Sequence, residues 1–93
     1  MPNFLTRVEL REASDTDYQN LVTRMEAVGF ARSIRADDGR THLLPTGNFI
    51  GTGEGTTLQV RDLATQAAAE TGKAFGILVV ECDRAAWIGL PTA

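Results

Sequence analysis

Hydrophobic and polar positions alternate through residues 4–10. Phe4, Thr6, Val8 and Leu10 fall on one side, and Leu5, Arg7 and Glu9 on the other. A period of two predicts a half-buried strand. The period then changes. Tyr18, Leu21, Val22, Met25 and Val28 recur at three- and four-residue spacing, which predicts an amphipathic helix of about three turns. Ser14 and Asp17 ahead of this stripe form a capping-box pair, and acids there suit the positive end of a helix. Gly29 stands where a C-terminal cap residue belongs, with Phe30 just beyond it.

Residues 30–50 read as a hairpin. Its first arm is predicted over residues 31–36 and its turn at Asp37-Asp38-Gly39, an Asp-Gly pair of the kind that tight hairpins need. Pro45 and Gly47 interrupt the second arm, so a bulge or break is expected between Leu43-Leu44 and Asn48-Phe49-Ile50. After a glycine-rich loop, Thr56 and Gln59 repeat the capping-box pattern. Val60, Leu63, Ala64, Ala67 and Ala68 then make a narrow apolar stripe suited to close approach to a sheet, and Gly72 ends the helix. Residues 74–82 contain Gly-Ile-Leu-Val-Val, apolar on both faces, which predicts a strand buried on both sides. Residues 85–93 form an apolar tail with Trp87 and Ile88, read as a short edge strand or a dimer contact.

The order strand, helix, strand, strand, helix, strand gives an α+β class: a ferredoxin-like βαββαβ sandwich, an antiparallel sheet with two helices on one face. It is expected to form a single domain over residues 1–93. The other face has no cover, yet Leu5, Ile77 or Leu78, Trp87 and Ile88 supply more apolar surface than one thin core requires. Exposed patches of that kind mark interfaces, and a homodimer with sheet or tail contacts is expected.

Composition narrows the function classes. The chain has 93 residues, 43% hydrophobic and 23% charged, which is ordinary for one globular domain. No run is long and apolar enough to span a membrane, and no secretory signal pattern is visible. With one cysteine and no intramolecular disulfide, a cytoplasmic setting is the expectation. The net charge of −3 excludes a broad phosphate-gripping surface, so any nucleic-acid contact rests on a local basic patch and is salt-sensitive.

The candidate chemistry collects in the hairpin. Arg32, Arg35 and Arg40 could clamp phosphates and stabilise a pentacovalent transition state, or could form a solvated strand face paired with Glu9, Asp37 or Asp38. His42, the lone histidine, could serve as a general base on a ribose 2′-hydroxyl, or as a half-buried packing residue. Phe49 could stack on an unpaired base, or pack in the core. The adjacent acids Asp37 and Asp38 read as turn formers rather than metal ligands, Cys82 as a buried thiol, and Gly-Thr-Gly-Glu-Gly-Thr-Thr as a linker without the Gly-Lys-Ser/Thr ending of a phosphate loop. No Cys/His cluster has zinc spacing, and nothing in the sequence implies a cofactor.

From Met25 to Phe49 the chain reads Met-Glu-Ala-Val-Gly-Phe, then Ser-Ile-Arg-Ala-Asp-Asp-Gly, then Leu-Pro-Thr-Gly-Asn-Phe. This pattern resembles the GhoS family, the antitoxin endoribonucleases of type V toxin–antitoxin systems. The likeness extends more loosely over residues 4–10, 57–71 and 77–83. It implies a ferredoxin-like fold and sequence-selective cleavage of single-stranded messenger RNA encoding a small membrane-lysing toxin. Phe49 stands where the family has a functionally implicated Phe. The family's arginines on the first helix reduce here to Arg24.

Two functions are therefore expected to compete. One is a metal-independent endoribonuclease in which Arg32, Arg40 and Phe49 grip RNA while His42 and Arg35 carry catalysis. The other is a non-enzymatic homodimeric interaction module, favoured by the acidic charge and the apolar tail.

Overall fold

The computed structural model describes residues 2–93. Its central strand is β1 (Asn3–Leu10), paired antiparallel on both sides with β4 (Asn48–Thr52) and β5 (Phe75–Glu81) in the order β4-β1-β5. The register sets Thr6 opposite Phe49 and Val79, and Leu5 opposite Ile50 and Val80. Side chains alternate between the faces of a strand. Phe4, Thr6, Val8, Leu10 and Phe49 are accordingly buried together under two helices, α1 (Asp15–Ala27) and α2 (Thr57–Ala69). The helices contribute Leu21, Met25, Ala64, Ala67 and Ala68 to that layer.

Both helices start as their sequences predict. The Ser14 hydroxyl accepts from the Asp17 amide while the Asp17 carboxylate accepts from the Ser14 amide, and Thr56 and Gln59 repeat the exchange at α2. Each such cap contributes about 1 kcal/mol. At the end of α1 the Gly29 amide donates to the Glu26 carbonyl and the Phe30 amide to the Met25 carbonyl. This two-bond cap needs a left-handed residue, and Gly29 supplies φ 99°. The cap turns the chain so that Phe30 packs in the same core as Met25. Tyr18 ties α1 to the sheet: its hydroxyl accepts from the Leu10 amide at 3.0 Å and donates to the Leu10 carbonyl at 3.3 Å.

The last strand departs from expectation. β5 is a sheet edge, not a strand buried on both sides: Ile77 turns to the helices, but Leu78 is 61% and Val80 41% exposed on the opposite face. Apolar residues on both faces record here a covered face and an open one.

The hairpin forms a second sheet, β2 (Ser33–Arg35) against β3 (Thr41–Leu43). β2 is shorter than the predicted arm. A single bridge, Ala31 to Ile50, joins the hairpin to the larger sheet. Between that bridge and the Ser33–Leu43 pair, two residues advance on one strand and seven on the other. The extra residues are the excursion around Pro45 and Gly47 that the sequence predicts. The result is a small α+β architecture with a three-stranded and a two-stranded antiparallel sheet, rather than one continuous sheet.

Beyond β5 the chain crosses to the hairpin. The Cys82 amide donates to the Asn3 carbonyl at 2.8 Å; further on, the Leu43 amide donates to the Pro91 carbonyl and the Ala93 amide to the Thr41 carbonyl, both at 2.8 Å. The tail thus pairs along the outer edge of β3, and residues 82–91 make a strap from one edge of the fold to the other. Among the described residues no helix is long and apolar enough to cross a membrane.

Candidate nucleic-acid interface

The turn that carries the candidate arginines is built locally. The Ala36 amide donates to the Arg40 carbonyl at 2.7 Å, the Gly39 amide to the Ala36 carbonyl at 3.0 Å, and the Arg40 amide to Asp38 Oδ1 at 2.9 Å. Asp38 therefore shapes the turn, as its Asp-Gly context implies. Its other oxygen lies 3.8 Å from Arg40 Nε, and both side chains are well exposed. Arg40 is held at the hairpin tip, away from the other arginines' cavities. Among the described residues no three metal-ligating side chains come together.

The strap and the hairpin enclose a groove of about 870 Å³. The hairpin lends Ser33, Arg35 and Asp37, the strap Arg84 and Trp87, and the floor includes Ile50. Neither Arg35 nor Arg84 makes an ion pair within 4.0 Å among the described residues. Asp37 and Asp83 line the same groove, so its charge is mixed rather than uniformly positive. This matches the acidic balance of the chain and limits the number of phosphates it can hold.

His42 lies behind the groove. Its Nδ1 is 3.2 Å from the Leu90 carbonyl oxygen, and its ring centroid is 5.7 Å from that of Trp87, tilted by 58°. A carbonyl only accepts, so Nδ1 carries the proton and, in the neutral ring, the lone pair sits on Nε2. The imidazole also fixes the strap by holding Trp87 and Leu90. The structure separates the two residues expected to share catalysis. Ile34 pairs with His42 while Arg35 pairs with Thr41, and neighbouring pairs project from opposite faces.

Arg32 and Phe49 meet at a different place. Both line a smaller cavity of about 230 Å³ between α1 and the excursion around Pro45, beside Tyr18, Gln19 and Asn48. Phe49 is a core side chain, 1% exposed, and the expectation that it offers a stacking face for a base is corrected. Its position in β4, opposite Thr6 on the helix-covered face, turns the ring inward. In the tail, Trp87 packs against His42, while Ile88 stands exposed.

No protein-family model matches the chain, and no curated protein matches it. The site is therefore argued from its residues. Two of its members, Arg84 and Trp87, were not legible as partners of the hairpin. Their signal is an Asp-Arg pair followed by the sole tryptophan, just after the last strand. The pairing of Cys82 with Asn3 and of residues 91–93 with β3 brings them to Arg35. Cys82, at the start of the strap, is half-buried and donates its thiol proton to the Arg84 carbonyl at 3.1 Å.

Proposed function

We propose that this chain binds single-stranded RNA in the groove between hairpin and strap, and acts as an antitoxin endoribonuclease of the kind its hairpin sequence resembles. The observation that carries the reading is the convergence of Arg35, Arg84 and Trp87 on one groove. Each guanidinium fork suits a phosphate bidentately. Trp87 supplies an aromatic surface of the type on which unpaired bases stack. The architecture is read as ferredoxin-like βαββαβ, with β3 and β4 as two halves of one interrupted strand and with Ala31–Ile50 as the remnant of its pairing with β2. The choice of a toxin transcript as substrate rests on the resemblance over residues 25–49.

In the cleavage step the ribose 2′-hydroxyl attacks the adjacent phosphorus, the bond to the 5′-oxygen of the next nucleotide breaks, that oxygen takes a proton from water to leave as a 5′-hydroxyl, and a 2′,3′-cyclic phosphate forms. An arginine beside the phosphate stabilises the extra negative charge of the pentacovalent state. The 2′-hydroxyl must lose its proton, and the imidazole that could take it, on Nε2 of His42, stands beside Trp87 with ring centroids 5.7 Å apart. Because His42 and Arg35 project from opposite faces of the hairpin, cleavage requires a rearrangement that brings both to one phosphate, whereas binding does not.

The test is incubation of the protein with a mixed single-stranded RNA pool, with and without EDTA, alongside Arg35→Ala, Arg84→Ala and His42→Ala. Retention of RNA weakened by either arginine change, with metal-independent cutting lost in His42→Ala, is the expected result. Retention without cutting would leave an RNA-binding protein and remove the endoribonuclease reading. Absence of retention by the folded wild-type chain would overturn both.

A further inference from the structure

We infer that β5 is a self-association edge, at which a second copy of this chain adds its own β5 antiparallel to form a continuous six-stranded sheet. The inference is independent of RNA binding. It starts from an asymmetry between two edges. The outer edge of β3 is covered by the tail, whose residues Pro91 and Ala93 bond to it. The outer edge of β5 has no strand beside it among the described residues. An uncovered edge is ordinarily blunted by proline, by inward-pointing charge or by brevity. β5 is seven residues long, Phe-Gly-Ile-Leu-Val-Val-Glu, with no proline and one charge at its very end.

Exposed apolar side chains lie on the same strand. Of the large hydrophobic side chains that stand exposed, Leu78 and Val80 lie on β5 and Leu58 and Leu63 on α2; Ile88 alone lies elsewhere. α2 packs on the covered face of β5, opposite Leu78 and Val80. Leu78 and Val80, two residues apart on the open face of an unpaired edge, are the apolar surface that a partner strand would cover.

The backbone then selects a register. The Cys82 amide donates to Asn3 and the Ala74 carbonyl accepts from Arg11. The even-numbered residues of β5 thus bond to β1, and Phe75, Ile77, Val79 and Glu81 direct their amides and carbonyls outward. A two-fold axis at Leu78 pairs all four with their counterparts: Phe75 with Glu81 and Ile77 with Val79 of the second copy. On the open face this register sets Leu78 against Leu78 and Gly76 against Val80, so that a missing side chain faces a branched one. Beyond the strand, Lys73 comes opposite Asp83 and diagonal to Glu81. In the single chain Lys73 Nζ lies 3.7 Å from Asp17, while Glu81 and Asp83 have no ion pair among the described residues. Charge and shape are self-complementary in this register, as a two-fold contact requires.

Sedimentation velocity over a concentration series tests the inference with the full chain. The wild type is expected to sediment at twice the monomer mass. Leu78→Lys and Leu78→Glu, each placing like charges directly across the axis, are each expected to be monomeric. Their equimolar mixture is expected to return to dimer, because opposite charges then meet across it. Both substitutions sit on a solvent-facing position, and far-UV circular dichroism checks that they fold. Hydrogen exchange on the wild type provides a second reading, with the amides of Ile77 and Val79 gaining protection as concentration rises. A wild type that stays monomeric with those amides unprotected overturns the inference. A dimer indifferent to both Leu78 changes overturns the edge as its interface.

Discussion

Thr6 offers a sharp energetic test of the fold. It sits at the centre of β1, fully buried, between Phe49 on one neighbouring strand and Val79 on the other. Its hydroxyl oxygen has no hydrogen-bond partner. A buried polar group left unsatisfied costs about 1–3 kcal/mol. Valine has nearly the same shape, removes the orphaned oxygen and places a methyl where apolar neighbours surround it. The added apolar burial contributes up to ~0.8 kcal/mol, offset by tighter packing in an interior already at crystal-like density. Thr6→Val is therefore expected to stabilise the chain by about 1–2 kcal/mol. In a domain of this size that raises Tm by roughly 4–8 °C per kcal/mol. Urea titration should show a higher midpoint with an unchanged slope. Thr6→Ser, which keeps the oxygen and deletes the methyl, should lose about 1 kcal/mol. Destabilisation by Thr6→Val of ~1 kcal/mol or more would show that the hydroxyl is hydrogen-bonded in solution, and would refute the reasoning.

Other expectations follow from the same geometry. Gly47 has φ 83°, and a Cβ there would lie 2.5 Å from the Val8 carbonyl oxygen, a backbone atom that cannot swing away; Gly47→Ala should lower stability by about 2 kcal/mol or more in urea titration. Ser14→Ala removes the α1 cap and should cost about 1 kcal/mol. That cap also fixes a pH dependence. The Ser14 amide, donating to the Asp17 carboxylate, holds its pKa below the ordinary value, with Ser14 Oγ and Lys73 adding to the effect. The stabilisation is thus complete above the ordinary, unfolded-state aspartate pKa and is lost as pH falls through that value and the lower folded one. Acid titration of wild type and Asp17→Asn by circular dichroism should show the two converging at low pH.

Local features of this fold were readable in the chain, and long-range ones were not. The caps at Ser14 and Thr56, the Gly29 stop and the Asp-Gly turn depend on residues within a few positions of one another, so their side chains announce them. Pro45 and Gly47 likewise foretold the break between β3 and β4. β5 misled because an apolar run records which faces are apolar, not whether both are covered. Phe49 was ambiguous for a related reason: whether an aromatic at a strand end faces helices or solvent depends on register, and the register against Thr6 turns it inward. The groove was the least legible element. Arg35 and Arg84 lie far apart in sequence, and they share a cavity only through long-range pairings, of β5 with β1, of Ala31 with Ile50 and of the tail with β3.

Affinity for a labelled single-stranded oligoribonucleotide, measured against salt concentration for the wild type and Arg35→Ala/Arg84→Ala, tests the central claim most directly. Two phosphate contacts on a single strand give a slope of log K against log[salt] of roughly −1.4. The account predicts about that slope for the wild type, a flatter one for the double variant, and weaker binding of the variant at low salt. Equal affinity and equal slope in the two proteins, with both folded, would contradict it.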